Sequence, residues 1–218
     1  MSLSQELRES GRETWDAAVG HRFVEELWAG TVPPDVLRRY LVQDFQFCDA
    51  FLALLGAAVA TCDDAAARVV HARQVGVVAG DEHDYFHRSF DLLGVPDADR
   101  TAPERGAPTE GFVALMDVAR TGGSYPEIVA VLLVAEWLYL DWASRPHDAL
   151  PSDPISRGWI DLHRGPEFEA WVTFLRAELD RSAPRAADPG RVARYFAEAV
   201  DLELAFFDAA YAGRDRHT

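Results

Sequence analysis

The sequence contains no lysine, and all 21 of its basic side chains are arginines. A Schiff-base lysine, a pyridoxal-phosphate lysine and a P-loop lysine are therefore excluded whatever the fold. Cysteine is almost as scarce. Cys48 and Cys62 cannot build a four-cysteine zinc site. Their apolar, helix-like surroundings (DFQFCDAFLALLG and AAVATCDD) predict reduced, packed thiols rather than a disulfide framework. There is no G-x-S-x-G elbow, no G-x-G-x-x-G after a strand and no C-x-x-C, so hydrolase triads and Rossmann cofactors have no support. The N-terminal MSLSQELRESGRETW lacks an apolar signal-peptide core, and the apolar run Ile128–Ala135 ends at Glu136, which predicts a cytoplasmic protein that spans no membrane. Alternating, strand-like patterns are nearly missing.

What is present is acid and helix. With 36 acidic residues the formal net charge is -15, which disfavours nucleic acid and anionic membrane surfaces as partners. Hydrophobic residues make up 49% of the chain, enough for a sizeable core. Apolar residues recur at helical spacing along 218 residues. The pattern predicts a helix from Ser4 to about Val19 and a short one marked by Phe23, Leu27 and Trp28. A long helix opened by Pro33-Pro34 runs through Tyr40, Phe47 and Phe51 to about Ala60. Asp63 or Asp64 caps a region that reaches Leu93, with Gly76 and Gly80 as interruptions and Gly94-Val95-Pro96 as its stop. Residues Asp97–Pro108 read as a loop. Helices follow over Thr109–Arg120, ended by Gly122-Gly123, and over Ser124–Ser144, opened by Pro126 and a Ser124/Glu127 capping box. After a loop with Pro146, Pro151 and Pro154 come helices at Ile155–His163, from Pro166 towards Asp180, and from Asp188-Pro189 to near Gly213. The expected fold class is all-α: one helical bundle domain over residues 1–218, with seven to nine helices.

Chemistry in a bundle is sought where an ionisable group interrupts a buried stripe, because a lone buried charge is costly. Asp44 in YLVQDFQF, Glu136 in VLLVAEWLYLDW and Glu203 in AVDLELAFF qualify, each on a different predicted helix. Taken singly, each is more readily a carboxylate paired with a buried arginine; three of them, each beside aromatics, point to a shared site. Phe47 follows Asp44 by three residues and Tyr139 follows Glu136 by three, so each pair shares a helix face. A carboxylate beside an aromatic wall suits a flat, hydrogen-bonding heterocycle. HDYFH supplies a competing motif, since His83 and His87 are four apart and Asp84 precedes His87 by three, a spacing that suits metal ligands on one helix face. Only one such pair exists, where a di-iron bundle wants two. His21 reads as a capping or structural histidine.

The order of these segments resembles the TenA family of thiamin-salvage proteins. The likeness lies in HRFVEELWAGTVPPDVLRRYLVQDFQF (21–47), HRSFDLLGV (87–95), AEWLYLDW (135–142), WIDLHRGPEFEAWVTFLRAELD (159–180) and DLELAFFDAAY (201–211), and covers nearly the whole chain. The resemblance implies a haem-oxygenase-like all-α fold. It implies that Asp44 holds an aminopyrimidine, that Phe47, Phe112 and Tyr139 form its aromatic wall, and that Glu203 moves a proton. Trp137 and His163 are further pocket candidates. Where one branch of the family has a nucleophilic cysteine, this chain has Ala135; Cys48 and Cys62 lie elsewhere and do not replace it, and Glu136 stands beside the vacancy. That pattern is similar to a second branch, in which a Glu serves instead and amino or N-formylamino forms of hydroxymethylpyrimidine are hydrolysed. Neither metal nor cofactor is implied, and association into a homodimer or homotetramer is. Two alternatives remain open: a di-metal oxidase using Asp84, His87, Glu136, His163 and Glu203, and a non-catalytic pyrimidine-binding or regulatory protein.

Overall fold

A computed structural model describes residues 1–101, 103–147 and 149–212. Every regular element among them is helical. The predicted first helix is two, α1 (Leu3–Ser10) and α2 (Arg12–Val19), separated at Gly11. The break allows α1 to lie on the helix Pro166–Ser182 while Trp15 of α2 is fully buried towards the helices Tyr125–Ala143 and Pro189–Ala210. α3 (Arg22–Ala29) starts at His21, whose Nδ1 accepts the Phe23 amide at 3.0 Å, a capping role. The predicted long helix is α4 (Pro34–Phe45) and α5 (Phe47–Thr61), which meet at Gln46.

By length and composition alone, Pro34–Thr61 is apolar enough to cross a membrane, contrary to the expectation that no such stretch exists. It is instead two helices, and Asp44 near their junction is buried.

α6 (Ala65–Val77) is capped by Asp64, which accepts the Ala67 amide at 2.8 Å; Asp63 bonds Arg181 on α12 instead. The interruption expected around Gly76 and Gly80 is a single π-helical turn, Val78–Glu82, that leads into α7 (His83–Leu93). Gly94 then ends α7 at a positive φ of 61°, where a side chain would be strained. The predicted loop after it contains a short helix, α8 (Asp97–Thr101), whose first turn carries Asp97 and Asp99.

α9 (Ala107–Gly122) and α10 (Tyr125–Ala143) fall where expected. The capping box does not form: Ser124 makes no side-chain cap, and Glu127 is buried against α13, 3.6 Å from Arg191. α11 (Pro154–Leu162) and α13 (Pro189–Ala210) are capped by Asp153 and Asp188, and α12 (Pro166–Ser182) lies between them. The expected end near Gly213 lies outside the described residues.

α10 is the axis of the bundle. It is buried on nearly all sides, against α12, α13, α5, α9 and α2, as an apolar helix must be. One contiguous core surrounds it. α11 comes close to α7 because residue 158 is glycine, where a Cβ would sit 2.9 Å from the Tyr85 ring. That approach stacks Tyr85 on Trp159, with ring centroids 5.2 Å apart, and sets α11 against one end of a cavity beside α10.

Candidate active site

The cavity lies where α4, α5, α6, the π-helical turn, α9, α10, α11, α12 and α13 converge. Four carboxyl groups line it. Asp44 comes from the last turn of α4, Glu82 from the π-helical turn, Glu136 from the middle of α10 and Glu203 from α13. Asp44, Glu136 and Glu203 are 8%, 6% and 5% exposed. Among the described residues no cation forms an ion pair with any of the four. Asp44 Oδ2 is a buried oxygen without any hydrogen-bond partner.

Unpaired acids taken out of water hold their protons. Burial raises Glu136 to about 8, against a smaller opposing pull from the Trp171 indole, with the Glu82 charge adding to the rise. Burial likewise raises Glu82 to about 7. Glu203 is pushed well above its ordinary range by burial and then by Glu136. Asp44 is pushed up by burial, then by the charges of Glu82 and Glu203. The cavity is therefore set for proton transfer near neutral pH, since it contains acids whose protons are held weakly enough to exchange there.

Aromatic rings form the remaining walls. Phe47 meets Phe112 edge to face at 5.4 Å, and Phe206 supports Phe47 from behind at 4.9 Å. Tyr139 lies on the other side. Its hydroxyl is 2.8 Å from the Tyr40 hydroxyl, which also accepts the Trp159 indole N–H at 3.2 Å. Only one of the two phenolic protons is spent in the bond between the tyrosines, so the pair retains one to donate elsewhere. Burial first, then neighbouring charge, keeps both phenols protonated.

His163 is 2.8 Å from the Trp159 carbonyl through Nδ1, so that nitrogen carries the proton and Nε2 is left as an acceptor. Burial lowers this histidine to about 4, so the ring is neutral. The site thus offers acids, one phenolic donor, an imidazole acceptor and apolar faces.

Asp44, Phe47, Phe112, Glu136, Tyr139, His163 and Glu203, all expected from the sequence, line this one cavity. Trp137 does not. One residue beyond Glu136 is about 100° round the helix, and its ring packs on Trp15 at 5.3 Å beneath the Arg176 guanidinium. The five-ligand metal set is not assembled either. Glu136, His163 and Glu203 share the cavity but Asp84 and His87 are exposed on α7, and among the described residues no three His, Cys, Asp or Glu side chains are placed to hold a metal ion together.

Several cavity residues had no part in the expectation. Cys48, placed elsewhere by sequence, follows Phe47 into the cavity wall; burial and the charges of Glu82 and Asp44 push its thiol up, so it is not a thiolate. Trp159 lies four residues before His163, a signal that helical spacing offered. Glu82 follows Gly80, which sequence marked only as an interruption.

This architecture has close counterparts. A TenA homologue protein from P. horikoshii superposes with a TM-score of 0.83 at 21% identity, covering 98% of this chain and 100% of its own. A TenA family transcription regulator from Silicibacter gives 0.84 at 22% identity, over 95% and 96%. These likenesses establish the haem-oxygenase-like all-α fold. A curated aminopyrimidine aminohydrolase of Bacillus subtilis is 26% identical over 216 residues, covering 97% of this chain and 90% of that protein. The model of the TENA/THI-4/PQQC family matches residues 8–213, nearly the full length, and the chain belongs to that family.

Proposed function

We propose that this protein is a thiamin-salvage hydrolase that acts on aminopyrimidine or N-formylaminopyrimidine breakdown products of thiamin and yields hydroxymethylpyrimidine. The observation that carries the reading is a cavity with aromatic walls and four carboxyl groups that no cation among the described residues pairs with. Its resemblance to curated aminopyrimidine aminohydrolases over nearly the whole chain supports the same activity.

The substrate ring lies between Phe47, Phe112 and Tyr139. Asp44 takes the amino-pyrimidine edge, where its partnerless Oδ2 accepts the exocyclic amine. One of Glu136 and Glu203, when ionised, removes a proton from water as it attacks the exocyclic methylene carbon. The other, in its acid form, supplies the proton that makes the aminomethyl nitrogen an ammonium where the substrate does not already arrive as one; the C–N bond then breaks and neutral ammonia leaves. A correctly placed acid or base contributes roughly 10²–10⁴-fold. Ala135 leaves no nucleophile at that point of α10, and the Cys48 thiol is protonated, so the water route needs no covalent intermediate.

The protein acts as a cytoplasmic homo-oligomer, dimer or tetramer. In support, Leu52, Ala53, Val59 and Ala60 of α5, none of which lines the cavity, are not buried, and Val69 on α6 is about half exposed. No nucleic acid or membrane partner is required.

The test is release of ammonia from 4-amino-5-aminomethyl-2-methylpyrimidine by the purified protein, followed with formation of the alcohol. Stoichiometric ammonia and alcohol are expected. Tight binding of the alcohol with no turnover of the amine would identify a binding protein instead.

A further inference from the structure

Glu82 is the one cavity carboxylate that the family resemblance did not supply, and its placement is particular. Gln74, Val78, Glu82, Phe86 and Phe90 follow one another at intervals of four. In a plain α-helix each such step overshoots a full turn by about 40°, so the row would spiral off one face. The wide turn at Val78–Glu82 absorbs part of that drift. Gln74, Val78 and Glu82 consequently face the cavity, while Phe86 and Phe90 still reach the core beneath Phe45.

At that position Glu82 has neither a hydrogen-bond donor nor an ion-pair partner among the described residues, and its charge acts on Asp44, Glu136 and Cys48. Among the described residues no arginine lines the cavity, and its histidine is neutral. Four acids that burial and one another's charge hold in the protonated form, with no counter-charge among the residues lining the cavity, ionise more readily beside a ligand that brings a positive one. An aliphatic amine is protonated near neutral pH and does so.

We propose that Glu82 is a specificity-determining residue that receives the protonated aminomethyl group of the substrate, so that the site prefers the amine precursor to its uncharged alcohol product. This rests on the aminopyrimidine reading above and goes further by assigning the amino group its own acid, distinct from Asp44, which takes the ring edge. The preference has a consequence for turnover: once ammonia has left, the alcohol offers Glu82 a neutral hydroxyl in place of a positive charge and is released more readily.

The experiment is calorimetric binding of both pyrimidines to the unaltered protein and to Glu82→Gln, Glu82→Asp and Asp84→Asn. Glu82→Gln should weaken the amine about tenfold or more, the worth of a hydrogen bond to a charged group, and leave the alcohol nearly unchanged. Glu82→Asp keeps the charge and should restore part of the preference. Asp84→Asn changes the net charge equally from the exposed face of α7 and should leave the preference intact. Thermal unfolding of each variant without ligand confirms that folded proteins are compared. An equal loss for amine and alcohol, or the same loss in Asp84→Asn, would overturn the role of Glu82 and leave the functional reading standing. Binding of neither pyrimidine by the unaltered protein would overturn both.

Discussion

Glu203 and Glu178 are the same residue type and about equally buried, 5% and 7% exposed, yet the bundle treats them oppositely. Burial raises both. At Glu178 that push is more than reversed by hydrogen bonds from Arg181 and from the Tyr125 hydroxyl, at 2.8 and 2.6 Å, and the group ends below its ordinary range. Arg181 continues to Asp63, so α12 is tied to the loop before α6. At Glu203 no cation among the described residues answers, and Glu136 pushes it further up. Burial alone therefore does not mark a functional acid in this protein. The missing counter-charge is what sets the proposed catalytic acids apart, because an acid left unpaired inside a core is costly unless something else brings the compensation.

The contrast can be broken at either end. Glu203→Gln carries the largest expected effect: ammonia release per folded molecule should fall by roughly 10²-fold or more, with the melting temperature unchanged or higher. Unchanged turnover in that variant would remove Glu203 from the mechanism. Asp44→Asn should act on binding, weakening the pyrimidine by about 1.5–3 kcal/mol, the usual worth of a charge-assisted bond. An isotherm like that of the unaltered protein would show that Asp44 does not hold the ring edge.

At the other end, Glu178→Gln should leave turnover intact and cost stability. Loss of its ionic bonds is worth about 2 kcal/mol, a fall in Tm of roughly 4–8 °C for a chain of this size. A stable but inactive Glu178→Gln would contradict the division between the two regions. A smaller effect lies in the pH dependence of unfolding. Glu136 is raised to about 8 from an ordinary 4.5, so it costs nothing while protonated in both states. As pH climbs from the ordinary value to about 8, the unfolded chain gives up this proton before the folded one does, and stability drains away. Glu178 runs the other way, and its contribution is lost only as pH falls below the ordinary range. Glu136→Gln should therefore lose less stability between pH 5 and pH 8 than the unaltered protein, as thermal melts at the two pH values will show.

The helices were legible because apolar spacing and terminators are local. Pro126, Pro166 and Pro189 sit in first turns, and Gly94 and Gly123 close helices at positive φ. Their internal breaks were less so. Gly11 and Gln46 interrupt helices whose apolar pattern continues across them, and only packing against α12 and around the cavity decides the bend. The acids stood out as charges within apolar runs, which is how Asp44, Glu136 and Glu203 were found. Glu82 did not, because it lies in VAGDEHDYF among other polar residues, and only the wide helical turn aims it inward. Trp137 misled for the opposite reason: it shares the motif with Glu136 but not the helix face.

The most direct test of the account is a carboxyl-carbon NMR titration of the ligand-free protein, with Glu136 and Glu178 assigned by single Gln replacements. The unpaired cavity acid should ionise near pH 8 and the paired one below the ordinary glutamate value of about 4.3. If the two glutamates titrate together in the ordinary carboxylate range, the cavity is no different from the ion-paired region and the account is wrong.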